Sequence, residues 1–276
     1  MSTPEASRRG GPEVGLVSLM FLLVGAGVVL YGRREWLPPL ASRHGAGIDA
    51  MLNYLLMTTG LSLLVAFMVL AWFIWSGGRR SQVTTRLAAR RTELVVSLVI
   101  GMAMAVVAEG GVVAIGLPVW QEYFGAARSD EALEIDVVAQ QFFWNVRYAG
   151  PDGQFGRTRG PLVDEVSNPI GLDPADPAGA DDIYLVNQFV VPVGRPVRVR
   201  LHSKDMIHSF FLPHLRVKQD VIPGMTPEIT FVPTRVGNFE LACAELCGLG
   251  HYRMQGMFRV VAEADFERAL REEAGR

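Results

Sequence analysis

Three apolar stretches, about Val14–Gly32, Asn53–Ser76 and Glu93–Trp120, constrain this chain more than any other feature. At 1.5 Å per residue the second and third are long enough to cross a hydrocarbon layer of about 30 Å as helices, and the first just reaches. They predict helices over about 14–32, 53–76 and 93–118, the last two forming a hairpin. Arg8 and Arg9 ahead of the first run resemble the start of a secretory signal. No small-residue cleavage site follows, and Arg33, Arg34 and Glu35 come at once, so we read a retained first helix. The segment GGRRSQVTTRLAARR (77–91) carries five arginines and no acid, which keeps it cytoplasmic. The N-terminus is then inside, and the 33–52 loop and everything after Trp120 are outside.

The chain therefore divides into an anchor region, 1–120, and an extracytoplasmic domain, 121–276. The domain holds 22 Asp and Glu against 16 Lys and Arg, a net charge of −6. Such a face gives ordinary solubility or receives a basic partner, and charge does not choose between them. Stretches rich in β-branched and aromatic residues fall at 134–149, 183–193, 196–203, 228–236, 237–244 and 257–263, separated by Gly and Pro, as in a small all-β sandwich or barrel. The Pro-, Gly- and Asp-rich segment 151–182 reads as a long surface loop. The charged tail 263–276 reads as a short helix serving only solvation. Basic residues do not interleave with aromatics, so nucleic-acid binding has no support. No P-loop, dinucleotide fingerprint or nucleophile elbow occurs, and no catalytic residue is expected.

Both cysteines lie in CAELCGLGHYRM (243–254). A disulfide between Cys243 and Cys247 would close a very small loop and stabilise little. The spacing C-x3-C-x3-H-x2-M adds His251 and Met254. Thiolate, imidazole and thioether together suit copper, because soft sulfur stabilises Cu(I) and imidazole accepts both oxidation states. A second thiolate allows the sulfurs to bridge two metals. Zinc competes, but methionine is a poor zinc ligand. A dinuclear site needs another imidazole, for which His208 and His214 are the candidates. His202 and His44 read as plain surface or strand residues.

The stretch DMIHSFFLPHLRVKQDVIPG, together with CAELCGLGHYRM, resembles the paired motifs of subunit II of the haem-copper cytochrome c oxidases. Asn187, Pro192 and Gly194 match a weaker strand signature, and the resemblance covers about residues 50–262. It implies a two-helix hairpin followed by a cupredoxin-like Greek-key β-barrel or sandwich outside the membrane, holding a dinuclear copper A centre. Carried over by position, the metal ligands are His208, Cys243, Cys247, His251 and Met254 with the main-chain carbonyl of Glu245. The Glu245 side chain corresponds to one that helps bind magnesium shared with subunit I. Glu93 corresponds to the mouth of a proton pathway, or is a first-turn acid favoured by the helix dipole. The family's tryptophan pair, where the electron donor docks, corresponds to QFFW, so Phe142 takes the first position and Trp144 the second. Strand alternation puts these two on one face, with Phe142 exposed at a strand end and Trp144 in the core. The extra first helix and Glu109, a carboxylate deep in an apolar run that should face a partner rather than lipid, depart from the pattern.

The resemblance implies the electron-accepting subunit of a terminal oxidase in a bacterial inner membrane, multi-pass, with its C-terminal domain on the periplasmic side. It would take electrons from a cytochrome c or similar donor and pass them to haem in subunit I, where oxygen becomes water. The same module in a nitric oxide reductase is the nearest alternative, and a membrane-tethered copper binding or delivery protein is the other. A quinol oxidase subunit is disfavoured, since those relatives lack the copper ligands.

Overall fold

The computed structural model describes residues 37–77, 90–124 and 131–275, with scattered positions between 16 and 32. The helix expected over 14–32 falls largely outside the described residues. The chain divides into two units, Met1–Pro39 and Leu40–Arg276, and the second holds both the helical hairpin and the β domain.

Two helices among the described residues are long and apolar enough to span a bilayer: Gly45–Val69 at mean hydropathy 1.8 and Arg90–Phe124 at 2.2. The first belongs to α1 (Gly45–Gly77). The second comprises α2 (Arg90–Met104), a π segment (Ala105–Glu109) and α3 (Gly110–Phe124). Both outrun the predicted spans at their outer ends, because the polar residues there are held by the β domain rather than by water. The Arg216 guanidinium clasps Asp49 at 2.7 and 3.1 Å, the Ala41 amide donates to the His214 carbonyl, and the Tyr123 hydroxyl meets the main chain of Lys218. Where the π segment widens the helix, the Tyr54 hydroxyl donates to the Val107 carbonyl, and Gly111 leaves the ring its space. Glu109 ends this segment and is exposed on the helix surface, as Glu93 is in the first turn of α2.

The β domain is a sandwich of two five-stranded sheets. Ten strands build it in chain order: β1 (Leu133–Gln140), β2 (Phe143–Tyr148), β3 (Ile183–Val186), β4 (Gln188–Pro192), β5 (Val197–Ser203), β6 (His208–Leu212), β7 (Val217–Val221), β8 (Glu228–Phe231), β9 (Gly237–Cys243) and β10 (Gln255–Val261). The first sheet runs β3-β2-β1-β5-β8 and the second β4-β10-β9-β6-β7. Alternation along β1 and β5 sends Ile135, Val137, Ala139, Val197, Val199 and Leu201 into the core, all fully buried. There they meet Trp144, Phe189, Phe210 and Phe258, large rings that each contribute about 2–3 kcal/mol through burial.

Three expectations need correction. The stretch 134–149 is a hairpin, β1 and β2 paired antiparallel from Ile135↔Tyr148 to Gln140↔Phe143, so Gln141 and Phe142 form its turn. The stretch 183–193 is two strands in different sheets, because Asn187 adopts a left-handed φ of 57° and turns the chain from one sheet into the other. Its side-chain oxygen accepts from the Trp144 amide, its own amide donates to the Trp144 carbonyl, and its carbonyl accepts from Met257. The tail helix α4 (Phe266–Ala274) does more than meet solvent. Phe266, Ala269 and Leu270 sit one turn apart and pack into the core, and Arg259 pairs with Glu273.

On the outer face of the first sheet, beneath the 151–182 loop, Arg147 lies between two carboxylates. Its guanidinium is 2.7 Å from Asp136 and 3.2 Å from Asp182, all three side chains being nearly inaccessible. Phe155 packs between Arg147 and Arg200, its ring centroid under 5 Å from each guanidinium carbon. The loop is thus fastened over the sheet by charge.

Candidate metal centre

Adjacent strands β6, β9 and β10 deliver sulfur and imidazole to one end of the second sheet. His208 opens β6 and Cys243 closes β9, two positions apart in register through Phe210↔Cys243. The Cys243 amide donates to the Met254 carbonyl and the Ala244 amide to that of Ser209, tying the loop's two ends to the strands. Between them the chain turns through Gly248, at φ +120°, and a short 3-10 turn, His251–Arg253.

The donor atoms converge. A ring nitrogen of His208 and both thiol sulfurs lie within 4.8 Å of one another. The two sulfurs are 3.8 Å apart, far beyond a disulfide bond of about 2.05 Å, and both cysteines are free. Cys247 Sγ lies 3.6 Å from His251 Nδ1 and 3.7 Å from Met254 Sδ, and Cys243 Sγ lies 3.2 Å from the Glu245 carbonyl oxygen. Cys247, Met254 and His208 are fully buried. Glu245 is exposed.

Two further residues hold the converging side chains in place, and sequence reasoning missed both. The Asp205 carboxylate lies 2.7 Å from His208 Nε2, leaving Nδ1 buried without an oxygen or nitrogen partner. A carboxylate behind a histidine fixes ring and tautomer in this way at metal sites. The D-x-x-H spacing carried that signal. Gln141 donates through its main-chain N–H to the other Asp205 oxygen and through its side-chain Nε2 to the Cys247 carbonyl at 2.8 Å. Nothing in sequence pointed to it, since it depends on the hairpin turn.

Burial opposes ionisation of Cys243, but hydrogen bonds from His208 and from the main chain at Glu245 and Ser209 bring its thiol down to about 6. Burial and the neighbouring Cys243 charge push Cys247 up to about 12. Burial lowers the His208 pKa, yet its contacts with Cys243 and Asp205 outweigh that and raise it. Two buried sulfurs, an imidazole nitrogen with no oxygen or nitrogen partner and a buried thioether together fit a soft cation such as copper.

The remaining histidines and aromatics lie around this cluster or away from it. His214 packs against Phe239, ring centroids 5.3 Å apart and tilted, and is not part of the cluster. His202 lies 3.0 Å from Asp136. His44, read as a surface residue, is 2% exposed against the Tyr123 ring, because the linker 40–44 is clamped between α3 and the β6–β7 turn. Trp144 is fully buried with its ring edge toward His208. Phe142 does not share a strand face with Trp144, since the chain reverses between them. It is half-buried in the β1–β2 turn, its ring wedged against Gly248 and Gly250 of the metal loop.

A family profile described as "Cytochrome C oxidase subunit II, periplasmic domain" matches residues 133–261. The chain is 32% identical over 262 residues to the alternative cytochrome c oxidase subunit 2 of Bradyrhizobium diazoefficiens, covering 93% of this chain and 91% of that one. It is 44% identical over 87 residues to cytochrome c oxidase subunit 2 of Thermostichus vulcanus, 32% of this chain and 26% of that one. Among solved structures, the periplasmic domain of subunit II of cytochrome oxidase (CoxB) of Bradyrhizobium japonicum is similar at a TM-score of 0.38 and 26% identity, covering 54% of this chain and 98% of that one. With a near full-length relative above 30% identity and both motifs in one site, this membrane-anchored chain belongs to the cytochrome c oxidase subunit II family.

Proposed function

We propose that this chain accepts electrons from a cytochrome c or similar donor at its periplasmic domain and passes them to haem in subunit I of a terminal oxidase. The observation that carries the reading is the convergence of two free, buried thiols with His208, His251 and Met254 at one sheet end. These side chains, with the Glu245 carbonyl, would hold a dinuclear copper A centre. When bound, the copper pair stores and releases one electron at a time. The protein's part is to keep donors in place so that little rearranges: Asp205 orients His208, Gln141 anchors the Cys247 carbonyl, and the sandwich excludes water from the sulfurs.

The remaining assignments belong to the same reading. The anchor is 1–120 and the copper domain 121–276, with the hairpin multi-pass in the bacterial inner membrane. Phe142, half-buried in the turn over the metal loop, is the point where electrons arrive, and Trp144 is the core residue behind it. The exposed Glu245 carboxylate is free to share magnesium with subunit I, and Glu93, at the hairpin end remote from the β domain, stands where a cytoplasmic proton pathway would open.

The test is the isolated membrane complex. Metal and haem content are measured, with turnover on oxygen and on nitric oxide and the rate of copper reduction by reduced cytochrome c. Two coppers in this subunit and oxygen turnover are expected, with Phe142→Ala slowing donor oxidation while leaving copper-to-haem transfer unchanged. Turnover of nitric oxide alone, or copper lost to a mild chelator from a chain with no oxidase partner, would overturn the reading.

A further inference from the structure

An open apolar groove of about 510 Å³ lies between α1 and α3, just below the β domain. Met51, Val113, Gly116 and Leu117 line it on the helix side. Gly116 makes the depth, since a Cβ there would stand 3.0 Å from the Met51 sulfur. Val113 and Leu117 are exposed at 59% and 50%, so the groove faces outward from the hairpin rather than into its packing. Trp120, Tyr123 and Phe124 surround its upper end, the level at which aromatic side chains mark the bilayer surface. Arg216 and Lys218, from the β domain, close its head. An apolar trough at hydrocarbon depth beneath two cations at headgroup depth has the shape and polarity of a phospholipid.

The charges at the head narrow the class. Arg216 holds Asp49 in a two-point pair, and Lys218 Nζ lies 2.7 Å from Asp220 Oδ1. The rim is therefore electrically balanced rather than cationic. Lys218 and Asp220 are both about half exposed, so each keeps hydrogen-bonding capacity on its open side. A headgroup with net negative charge would meet the carboxylates as well as the cations. One carrying a phosphate and a primary ammonium offers a partner to each.

We propose that this groove binds one aminophospholipid of the phosphatidylethanolamine class, its acyl chain along Val113 and Leu117, its phosphate against Lys218 and its ammonium against Asp220. The lipid would brace the hairpin's outer end against the domain that carries the metal loop.

The full chain, purified in detergent and stripped of lipid, is titrated with phosphatidylethanolamine, phosphatidylglycerol or phosphatidylcholine of matched acyl chains, and bound lipid is counted by native mass spectrometry. One phosphatidylethanolamine per chain should bind, severalfold more tightly than either competitor. Lys218→Gln, on the exposed rim, should weaken it about two- to fivefold, the factor expected for losing one exposed ion pair. Val113→Trp, on the outward wall, should fill the trough and remove the site. Phosphatidylglycerol binding as tightly as phosphatidylethanolamine, lipid binding indifferent to Val113→Trp, or a protein helix occupying the groove in the intact complex would each overturn the proposal.

Discussion

Gly250→Ala tests how the β1–β2 turn is fastened to the metal loop. Gly250 sits at φ −93°, ψ 5°, a conformation open to residues other than glycine, so backbone torsion adds no penalty. What an alanine meets is Phe142: its Cβ would stand 2.6 Å from Cγ and 2.7 Å from Cε2 of that ring. Carbon atoms prefer about 3.5–4.0 Å, so roughly 1 Å must be regained by swinging the ring outward or by moving the loop beside His251. Overpacking of this kind costs about 1–3 kcal/mol. Because Phe142 is half-buried and can yield toward solvent, we expect the lower part of that range, a fall in Tm of about 2–6 °C for a chain of this size. In a Phe142→Ala background the obstacle is gone, and the same alanine should cost under about 0.5 kcal/mol, a coupling of about 1 kcal/mol between the two positions. Thermal unfolding of the full chain in detergent, followed by circular dichroism, measures all four corners of the cycle. An equal penalty with and without the Phe142 ring would refute the reasoning.

Cys247→Ser should abolish the copper pair's thiolate absorption and cut copper content below two per chain, while His214→Ala, outside the cluster, should leave both nearly intact; metal analysis with electron paramagnetic resonance decides, and the reverse pattern would mean the wrong histidine. Arg147→Met removes the buried cation between Asp136 and Asp182, leaving Asp136 to His202 and Arg200 and Asp182 to the Gly156 amide, and should destabilise the β domain by about 3 kcal/mol in urea unfolding; a loss under about 1 kcal/mol would show that the pair is not dry. Burial holds the His44 pKa below its ordinary value of 6.5, so below that pH the unfolded chain takes up a proton that the native state resists, and stability falls as pH falls. His44→Gln should flatten that acid-side slope between about pH 7.5 and 5.5 in Tm, and an unchanged slope would exonerate this residue.

The convergence of these side chains could be anticipated because a soft-metal site would demand particular side chains at short spacing: one twelve-residue loop holds four of the five that meet, and the motif around His208 supplies the fifth. The two hairpin helices were legible because a bilayer demands length and uniform apolarity. What escaped was what depends on chain reversal. QQFFWN is a continuous β-prone run, and no glycine or proline marks the turn at Gln141 and Phe142, which is set instead by the fit of both residues into the metal loop. Asn187 lies inside another such run, and its left-handed corner shows only in its hydrogen bonds to the other strands. His44 looked like a loop residue because its burial comes from partners about 80 and 170 residues away in sequence, which no local pattern encodes.

The Asn187 corner also limits how the sandwich can move. The candidate metal-binding side chains belong to the second sheet, at β6, β9 and the approach to β10, whereas Gln141 and Phe142 belong to the hairpin turn of the first. Slippage of one sheet across the other by a single residue, about 3.3 Å, would break the two bonds to Trp144 and the one to Met257 together, and would tear Gln141 from the Cys247 carbonyl. Shear between the layers is therefore locked beside the sulfurs, and the gap between the Phe142 ring and the Cys247 loop is held constant.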